Sequence, residues 1–408
     1  MRILIVNHFA VLPEEAGGTR HFSLGRELAA LGHEVTIVAS GVHYQSGQNT
    51  PFAPGQKLLT RAIEGVRFIK LNNFGNEGGR VGRLLTMLDF SRVFLSDEAA
   101  RAIGPIDVVY GSTPHPFAAA AAARFARRRQ LPFVLEIRDL WPESIVAISG
   151  VSARHPLVLA MGFLERRLCR TADHVVTLLP GSAARIGAKG ADLDRITTIP
   201  NMVSLDRDGA PVPPPMRDTF IITYAGAHGL ANALDSYLDA AKLAQGVAAL
   251  GKARFRLIGA GPEKKRLMQR AIVEQLANVE FLDSVPKNEI GRVFSDSDAF
   301  YMPLKATPLF HQGISPNKLF DYMAAARPVV FAVDTPVNPV QAAGAGVTIP
   351  AESPAALVDA LLELIAMPVD ERRQMGERGR RYVRENHCSI ALGARLDRVL
   401  SSARRTTR

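Results

Sequence analysis

Short apolar runs, many of them β-branched, alternate along this chain with longer stretches whose apolar positions recur at helical spacing. In the first half, residues 3–7, 34–39, 107–110, 133–137 and 174–178 predict strands, and residues 20–31, 116–129 and 156–170 predict helices between several of them. Parallel neighbours need a crossover of about a dozen residues or more, usually a helix, so the alternation predicts a parallel sheet. A proline-rich stretch, Gly209-Ala210-Pro211-Val212-Pro213-Pro214-Pro215, reads as a domain boundary. Beyond it the pattern restarts, with strands predicted at 220–224, 253–258, 279–282, 299–302, 329–332 and 346–349. The fold class is thus α/β, as two doubly wound Rossmann-like domains. Such sheets bind ligands at the carboxyl ends of their strands, so a central cleft between facing domains is the expected site.

A length of 408 residues lets each domain bury a core without disulfides or a structural metal. Cys169 and Cys388 lie far apart and form no metal motif. The apolar run at the N-terminus is too short for a signal peptide, and no run reaches the roughly 18–20 residues that span a bilayer, so a cytoplasmic location is expected. The net charge of +10 directs attention to acidic partners. Two basic clusters accompany apolar stripes: Val81, Leu84, Leu85 and Leu88 with Arg80, Arg83 and Arg92, and 157–164 with Arg166, Arg167 and Arg170. These suit either an anionic membrane surface or helices whose apolar faces meet the core. Nucleic acid is disfavoured, because no recognition motif accompanies the charge.

The densest chemistry lies at His311-Gln312-Gly313-Ile314-Ser315-Pro316-Asn317-Lys318, which opens a helical run containing Leu319, Met323 and Ala326. Ser315 or Asn317 can cap the first turn, with Pro316 at its opening position. The amides of 315–318 would then meet an anion, Lys318 would add a mobile charge, and Asp321 would lie about one turn on, to accept from ribose hydroxyls. A capped core helix with an incidental lysine is the other reading. Three glycine turns follow predicted strands: Gly17-Gly18-Thr19, Gly226-Ala227-His228-Gly229 and Gly259-Ala260-Gly261-Pro262. None fits the dinucleotide fingerprint, so NAD is disfavoured.

Several segments occur in a familiar order. Ile199-Pro200-Asn201, Tyr224-Ala225-Gly226, the run 255–262, Val279-Glu280-Phe281-Leu282 with Val285, and Asp321-Tyr322-Met323-Ala324 ending in Arg327-Pro328-Val329-Val330 resemble the family 4 retaining glycosyltransferases of the GT-B fold. The first half agrees through Gly17-Gly18, Leu31-Gly32-His33-Glu34-Val35-Thr36 and Asp107-Val108-Val109. More narrowly, Glu136-Ile137-Arg138-Asp139-Leu140-Trp141-Pro142 and Ser315-Pro316-Asn317-Lys318-Leu319 look like the WbuB-like subgroup, linked to bacterial surface polysaccharides.

The resemblance implies an acceptor-side domain at 1–205, a linker at 206–216, a donor domain at 217–385 and a C-terminal helix, 386–408, crossing back to the first domain. It implies a nucleotide-sugar donor, expected to be a UDP sugar with an N-acetylated amino sugar as the guess, used with retention and without metal or other cofactor. The implied acceptor is a lipid-diphosphate-linked saccharide, met at the inner face of the cell membrane. Donor contacts are expected from Gly17, Gly18, Gly226, His228, Gly229, Gly261, Val285, Gln312, Gly313, Ile314, Ser315, Asn317, Lys318 and Asp321.

Two positions depart from the family pattern. Of two glutamates eight positions apart, Asp321 matches the second, whereas Gly313 stands at the first. Where many members carry an arginine and a lysine after the first donor-domain strand, this chain has His228 and Asn232, which leaves Lys318 as the main positive charge. The catalytic candidates are Lys318, His115, at a position where members often carry a cleft histidine, and Arg138 with Asp139 as an ion pair. His115 could equally be a satisfied loop histidine, and the ion pair could be structural. His8 is a weaker candidate. Asp296-Ser297-Asp298 has the spacing of a metal-binding pair but reads as the end of a helix. A GT-B epimerase or phosphorylase and a catalytically idle sugar-nucleotide scaffold are the competing readings.

Overall fold

Eight strands form the first sheet of the computed structural model: β1 (Arg2–Val6), β2 (Glu34–Ser40), β3 (Leu58–Ile63), β4 (Val66–Leu71), β5 (Val108–Thr113), β6 (Phe133–Ile137), β7 (His174–Thr177) and β8 (Ile196–Thr198). Their order is β3-β4-β2-β1-β5-β6-β7-β8, parallel throughout except for the β3–β4 hairpin. The second sheet joins β9 (Phe220–Ala225), β10 (Ala253–Ile258), β11 (Val279–Leu282), β12 (Ala299–Pro303), β13 (Val329–Ala332) and β14 (Gly346–Ile349) in the order β11-β10-β9-β12-β13-β14, all parallel. The structure describes all residues except 16, 44–46, 48, 76–78, 114, 144–145, 147–149, 206–210, 213–214, 216, 286–288, 308–309, 311–313 and 407–408.

The five strands expected in the first half and the six in the second are present, as are the helices Arg20–Ala30, Pro116–Arg128 and Pro156–Thr171. Periodicity missed β3, β4 and β8. β3 is a half-exposed edge strand, β4 carries Arg67 and Lys70 among its apolar residues, and β8 has three residues, so none presents the continuous apolar run of a buried parallel strand.

In each sheet the chain winds outward from its first strand on one side and then returns to wind outward on the other. The reversal lies between β1 and β5 in the first sheet and between β9 and β12 in the second. Crevices form at the carboxyl ends of such strands, which is where the candidate residues gather.

The chain divides into two compact units, Met1–Pro13 with Gly17–Pro200 and Ser389–Arg408, and Glu14–Ala16 with Asn201–Cys388. Residues 201–205, read from sequence as part of the first domain, thus belong to the second unit. The Asn201 N–H donates to Ser315 Oγ (2.8 Å), the Asn201 carbonyl accepts from His387 Nδ1 (2.8 Å), and the Val203 N–H donates to the His387 carbonyl (2.9 Å). The helix Ser389–Thr406 belongs to the first unit, where Ser389 Oγ donates to Glu27 (2.9 Å) and Asp397 meets His33 Nε2 (2.8 Å).

Candidate functional site

At the carboxyl ends of β9 and β10 two glycine loops lie against each other. The Gly226 N–H donates to the Ile258 carbonyl (2.9 Å), and the His228 N–H to the Ala260 carbonyl (2.8 Å). Gly259 has φ +143° and Gly261 φ +155°, and a Cβ on them would lie 2.0 Å from the Gly226 carbonyl oxygen and 2.4 Å from that of His228. Both the left-handed backbone and the close approach exclude any other residue. Lys264, a residue the sequence reading passed over, fastens the second loop. Its ammonium donates to the Gly259 and Leu282 carbonyls (2.9 Å each) and to Asp283 Oδ1 (2.7 Å).

The helix Asn317–Ala324 is aimed at these loops by Tyr322, whose hydroxyl donates to the Ala225 carbonyl (2.8 Å) and accepts from the Ala225 N–H (2.7 Å). Residues four apart share a helix face, so this tie sets Lys318 over the end of β9. Lys318 Nζ donates to Tyr224 Oη (3.0 Å) and Asn232 Oδ1 (2.7 Å), and Tyr224 and Asn232 each donate to the Ala227 carbonyl. A Cβ on Gly226 would come within 3.0 Å of Lys318 Nζ, so the absent side chain leaves the space in which the lysine nitrogen sits. Burial lowers the Lys318 pKa to about 7.

His228 lies beside this ring, fully buried, with no hydrogen bond of good geometry at either ring nitrogen and the Ile258 backbone as its one weak polar neighbour. Burial first, then Lys264 and Lys318, pushes it down to about 4, so it is a neutral imidazole at pH 7. A buried polar group so poorly satisfied calls for an explanation, and a ligand oxygen is the one that its cationic neighbours favour.

Other expected donor residues fare differently. Pro316 itself occupies the N-cap, without any side-chain cap, and neither Ser315 nor Asn317 fills that place. Ser315 is engaged with Asn201, its hydroxyl accepting from the Asn201 N–H and its carbonyl from the Asn201 side chain. Ile314 is buried in the core with Leu319 and Phe320, so its side chain is a packing group. Asn317 is exposed, Asp321 and Val285 are partly buried, and Gly229 has open space at its Cα. Gln312 and Gly313 lie outside the described residues. Asp296 binds Arg217 and Arg256, and Asp298 binds Arg217 and the Ile221 N–H. Among the described residues no three His, Cys, Asp or Glu side chains group as metal ligands would.

In the first unit, His8 and His115 meet at the ends of β1 and β5. His8 Nδ1 is 2.6 Å from His115 Nε2, and His115 Nδ1 accepts from the Ala118 N–H (3.4 Å), which puts the His115 proton on Nε2. Burial lowers His8 to about 3 and, with His8 adding to it, His115 well below the usual range, so the pair is neutral at pH 7. His115 therefore caps the helix Pro116–Arg128 and is satisfied at both nitrogens. Arg138 and Asp139 make no salt-bridge hydrogen bond, but they interact: burial raises the Asp139 pKa and the Arg138 charge opposes it. Arg138 is half-buried and its N–H donates to Thr113. Gly17 has φ +139° and, with Gly18, leads into the helix Arg20–Ala30, whose first turn has no side-chain cap.

A buried network beneath this end of the sheet escaped the sequence reading. Glu136 Oε1 accepts from Arg20 Nε and the Tyr110 hydroxyl (2.8 Å each), and Glu136 Oε2 lies 2.6 Å from His21 Nε2. Arg20 also donates to the carbonyls of Ile199 and Pro200, the last residues before the chain enters the second unit. An adjacent Arg20-His21 pair at the start of a helix was the available signal.

The two Rossmann-like sheets, with their glycine loops at the strand ends, define a GT-B protein. Family profiles match both halves, residues 16–202 as a glycosyl transferase 4-like domain and residues 219–367 as glycosyl transferases group 1. The chain belongs to the GT-B glycosyltransferases. It is 29% identical over 164 residues to WcaL of Salmonella typhimurium strain LT2, which is provisionally named a colanic acid biosynthesis glycosyltransferase. That match covers 39% of each chain, so it spans about two fifths of the relative. Among solved structures, sucrose-phosphate synthase from Thermosynechococcus elongatus superposes with a TM-score of 0.75 at 16% identity, covering 98% of both chains. HepE of Anabaena, solved in complex with UDP-glucose, gives 0.66 at 13% identity, covering 98% of this chain and all of that one. At these identities the likeness carries the fold alone.

Proposed function

We propose that this glycosyltransferase is a retaining, metal-independent enzyme that moves a sugar from a UDP sugar to a lipid-diphosphate-linked saccharide in polysaccharide assembly. The observation that carries the donor reading is the buried His228 imidazole, poorly satisfied at both nitrogens, beside the Lys318 ring at the ends of two glycine loops. The UDP-glucose bound by HepE supports a UDP sugar, and the naming of WcaL supports a polysaccharide.

In the proposed reaction the leaving diphosphate takes the acceptor hydroxyl's proton on the face it departs from, while an oxocarbenium-like centre develops on the sugar. The second unit holds the donor: Lys318 neutralises the growing charge, while the neutral His228 imidazole and the amides at the start of the helix Asn317–Ala324 donate hydrogen bonds to it. The first unit holds the acceptor, and the neutral His8–His115 pair shapes the end of its sheet. Asp296 and Asp298 are already held by arginines, which supports a reaction without metal.

Thermal denaturation of the purified chain with a panel of nucleotide sugars tests this, because a ligand specific for the native state must raise the midpoint. The expected result is stabilisation by a UDP sugar, the same with and without magnesium. Stabilisation that requires magnesium would overturn the metal-independent reading, and no response to any nucleotide would overturn the donor site.

An anionic membrane surface belongs to the same proposal. The helix Pro156–Thr171 buries Val158, Met161 and Leu168 but leaves Leu159 (57%) and Phe163 (61%) exposed beside exposed Arg166, Arg167 and Arg170. Exposed Leu85 and Leu88 accompany Arg83 and Arg92 on the helix Gly79–Phe94, whereas the Val81 side chain lies outside the description. No helix among the described residues is long and apolar enough to cross a membrane. Apolar side chains ringed by arginine suit the interface of acidic lipids. The chain is expected to sediment with phosphatidylglycerol vesicles and not with phosphatidylcholine vesicles, and Phe163→Ser with Leu159→Ser to weaken this. Equal sedimentation of the double variant would remove the helix from the interface.

A further inference from the structure

A lysine ammonium carries three N–H donors and the neutral amine two. Lys318 Nζ makes two hydrogen bonds, to Tyr224 Oη and Asn232 Oδ1, and both acceptors are fixed by their own bonds to the Ala227 carbonyl. The uncharged amine completes this ring, and a third proton finds no acceptor in it. Among the described residues the side-chain partners of Lys318 are the neutral Tyr224 and Asn232, with no carboxylate.

The titratable groups on every surrounding element agree. β9 presents Tyr224, whose ionisation burial pushes far above the usual range. The loop after β9 presents neutral His228, and the helix Lys264–Val273 presents Lys264, already held by two carbonyls and Asp283. Lys318's own helix adds Tyr322, bonded to Ala225, and Asp321 three residues on.

We infer that the second unit takes up its diphosphate ligand together with a proton from solvent, which converts the Lys318 amine of the empty site into the ammonium that meets a phosphate oxygen. The inference rests on the donor reading above. A phosphate oxygen supplies both the missing acceptor and a negative charge, and each favours the ammonium. The lowering of Lys318 to about 7 by burial fits an amine that is half neutral at that pH. Binding raises the Lys318 pKa, so a proton is taken up. Affinity is full below the empty-site value and declines as pH rises toward the bound one.

Titration calorimetry of the full chain with UDP-glucose and UDP-N-acetylglucosamine, in buffers of different ionisation enthalpy, reads the proton directly. Uptake of about half a proton is expected at pH 7 and close to one at pH 8, with affinity weakening about fivefold between them. Lys318→Arg, permanently charged, should show neither effect, with its fold checked by circular dichroism. Should that variant fail to bind, the wild-type buffer comparison decides alone. Binding by the wild type without uptake, or equal uptake in Lys318→Arg, overturns the inference and leaves the donor reading intact. Absence of wild-type binding at pH 6 to both nucleotide sugars overturns both.

Discussion

If the proposed transfer from a UDP sugar holds, Lys318→Ala is expected to lower its rate by at least about 10²–10³-fold, the usual effect of deleting one preorganised donor to a developing anion. The residue is positioned by three separate devices: the Tyr322 tie to Ala225, the empty Cβ space of Gly226, and the ring through Tyr224 and Asn232. Its own contribution to stability is small, because among the described residues no carboxylate pairs with it and burial disfavours its charged form. The thermal midpoint should therefore move by no more than about 2–4 °C. Measuring the transfer rate and the midpoint on the same preparation separates the two roles. Normal turnover would remove Lys318 from the mechanism, and a collapsed midpoint would make it structural.

Glu136→Ala is expected to cost about 3–5 kcal/mol of stability, because it leaves a buried arginine without its partner. Arg20 and Glu136 are both fully buried, and the carboxylate also serves Tyr110 and His21. Burial pushes the Glu136 pKa up, but Arg20, then His21 and Arg138, outweigh it and hold the carboxyl well below the usual range. A carboxylate lowered in the folded state contributes stability that is complete above the unfolded glutamate value and is lost as pH falls through the folded one. Urea denaturation of the wild type should accordingly show declining stability on acidification below about pH 4, with a shallower decline in Glu136→Ala. A variant as stable as the wild type would mean that the network relaxes to admit water. Because Arg20 also holds the Ile199 and Pro200 carbonyls, proteolysis near residue 200 should accelerate in the same variant.

The strands most legible in the sequence were those buried on both faces. Residues 220–224 or 329–332 carry unbroken apolar runs because every side chain in them meets the core, and no local alternative suits such a run. The glycine loops were legible for a related reason, since Gly259 and Gly261 stand where only a residue without Cβ fits. The capping of the helix Asn317–Ala324 was misread. Ser315 has the right chemistry for a cap, but it is held by Asn201, which is 114 positions away, and Pro316 takes its place.

Apolar periodicity and glycine placement by themselves determined two parallel α/β sheets and the loops at their strand ends, because burial and backbone sterics act locally and leave a local pattern. Only the tertiary structure decided which polar groups meet. Lys318 reaches Tyr224 across 94 positions, His8 reaches His115 across 107, and Arg20 reaches Glu136 across 116. Such partners are chosen by strand order at the switch points, and a hydrogen bond between distant residues leaves no spacing in the sequence to read.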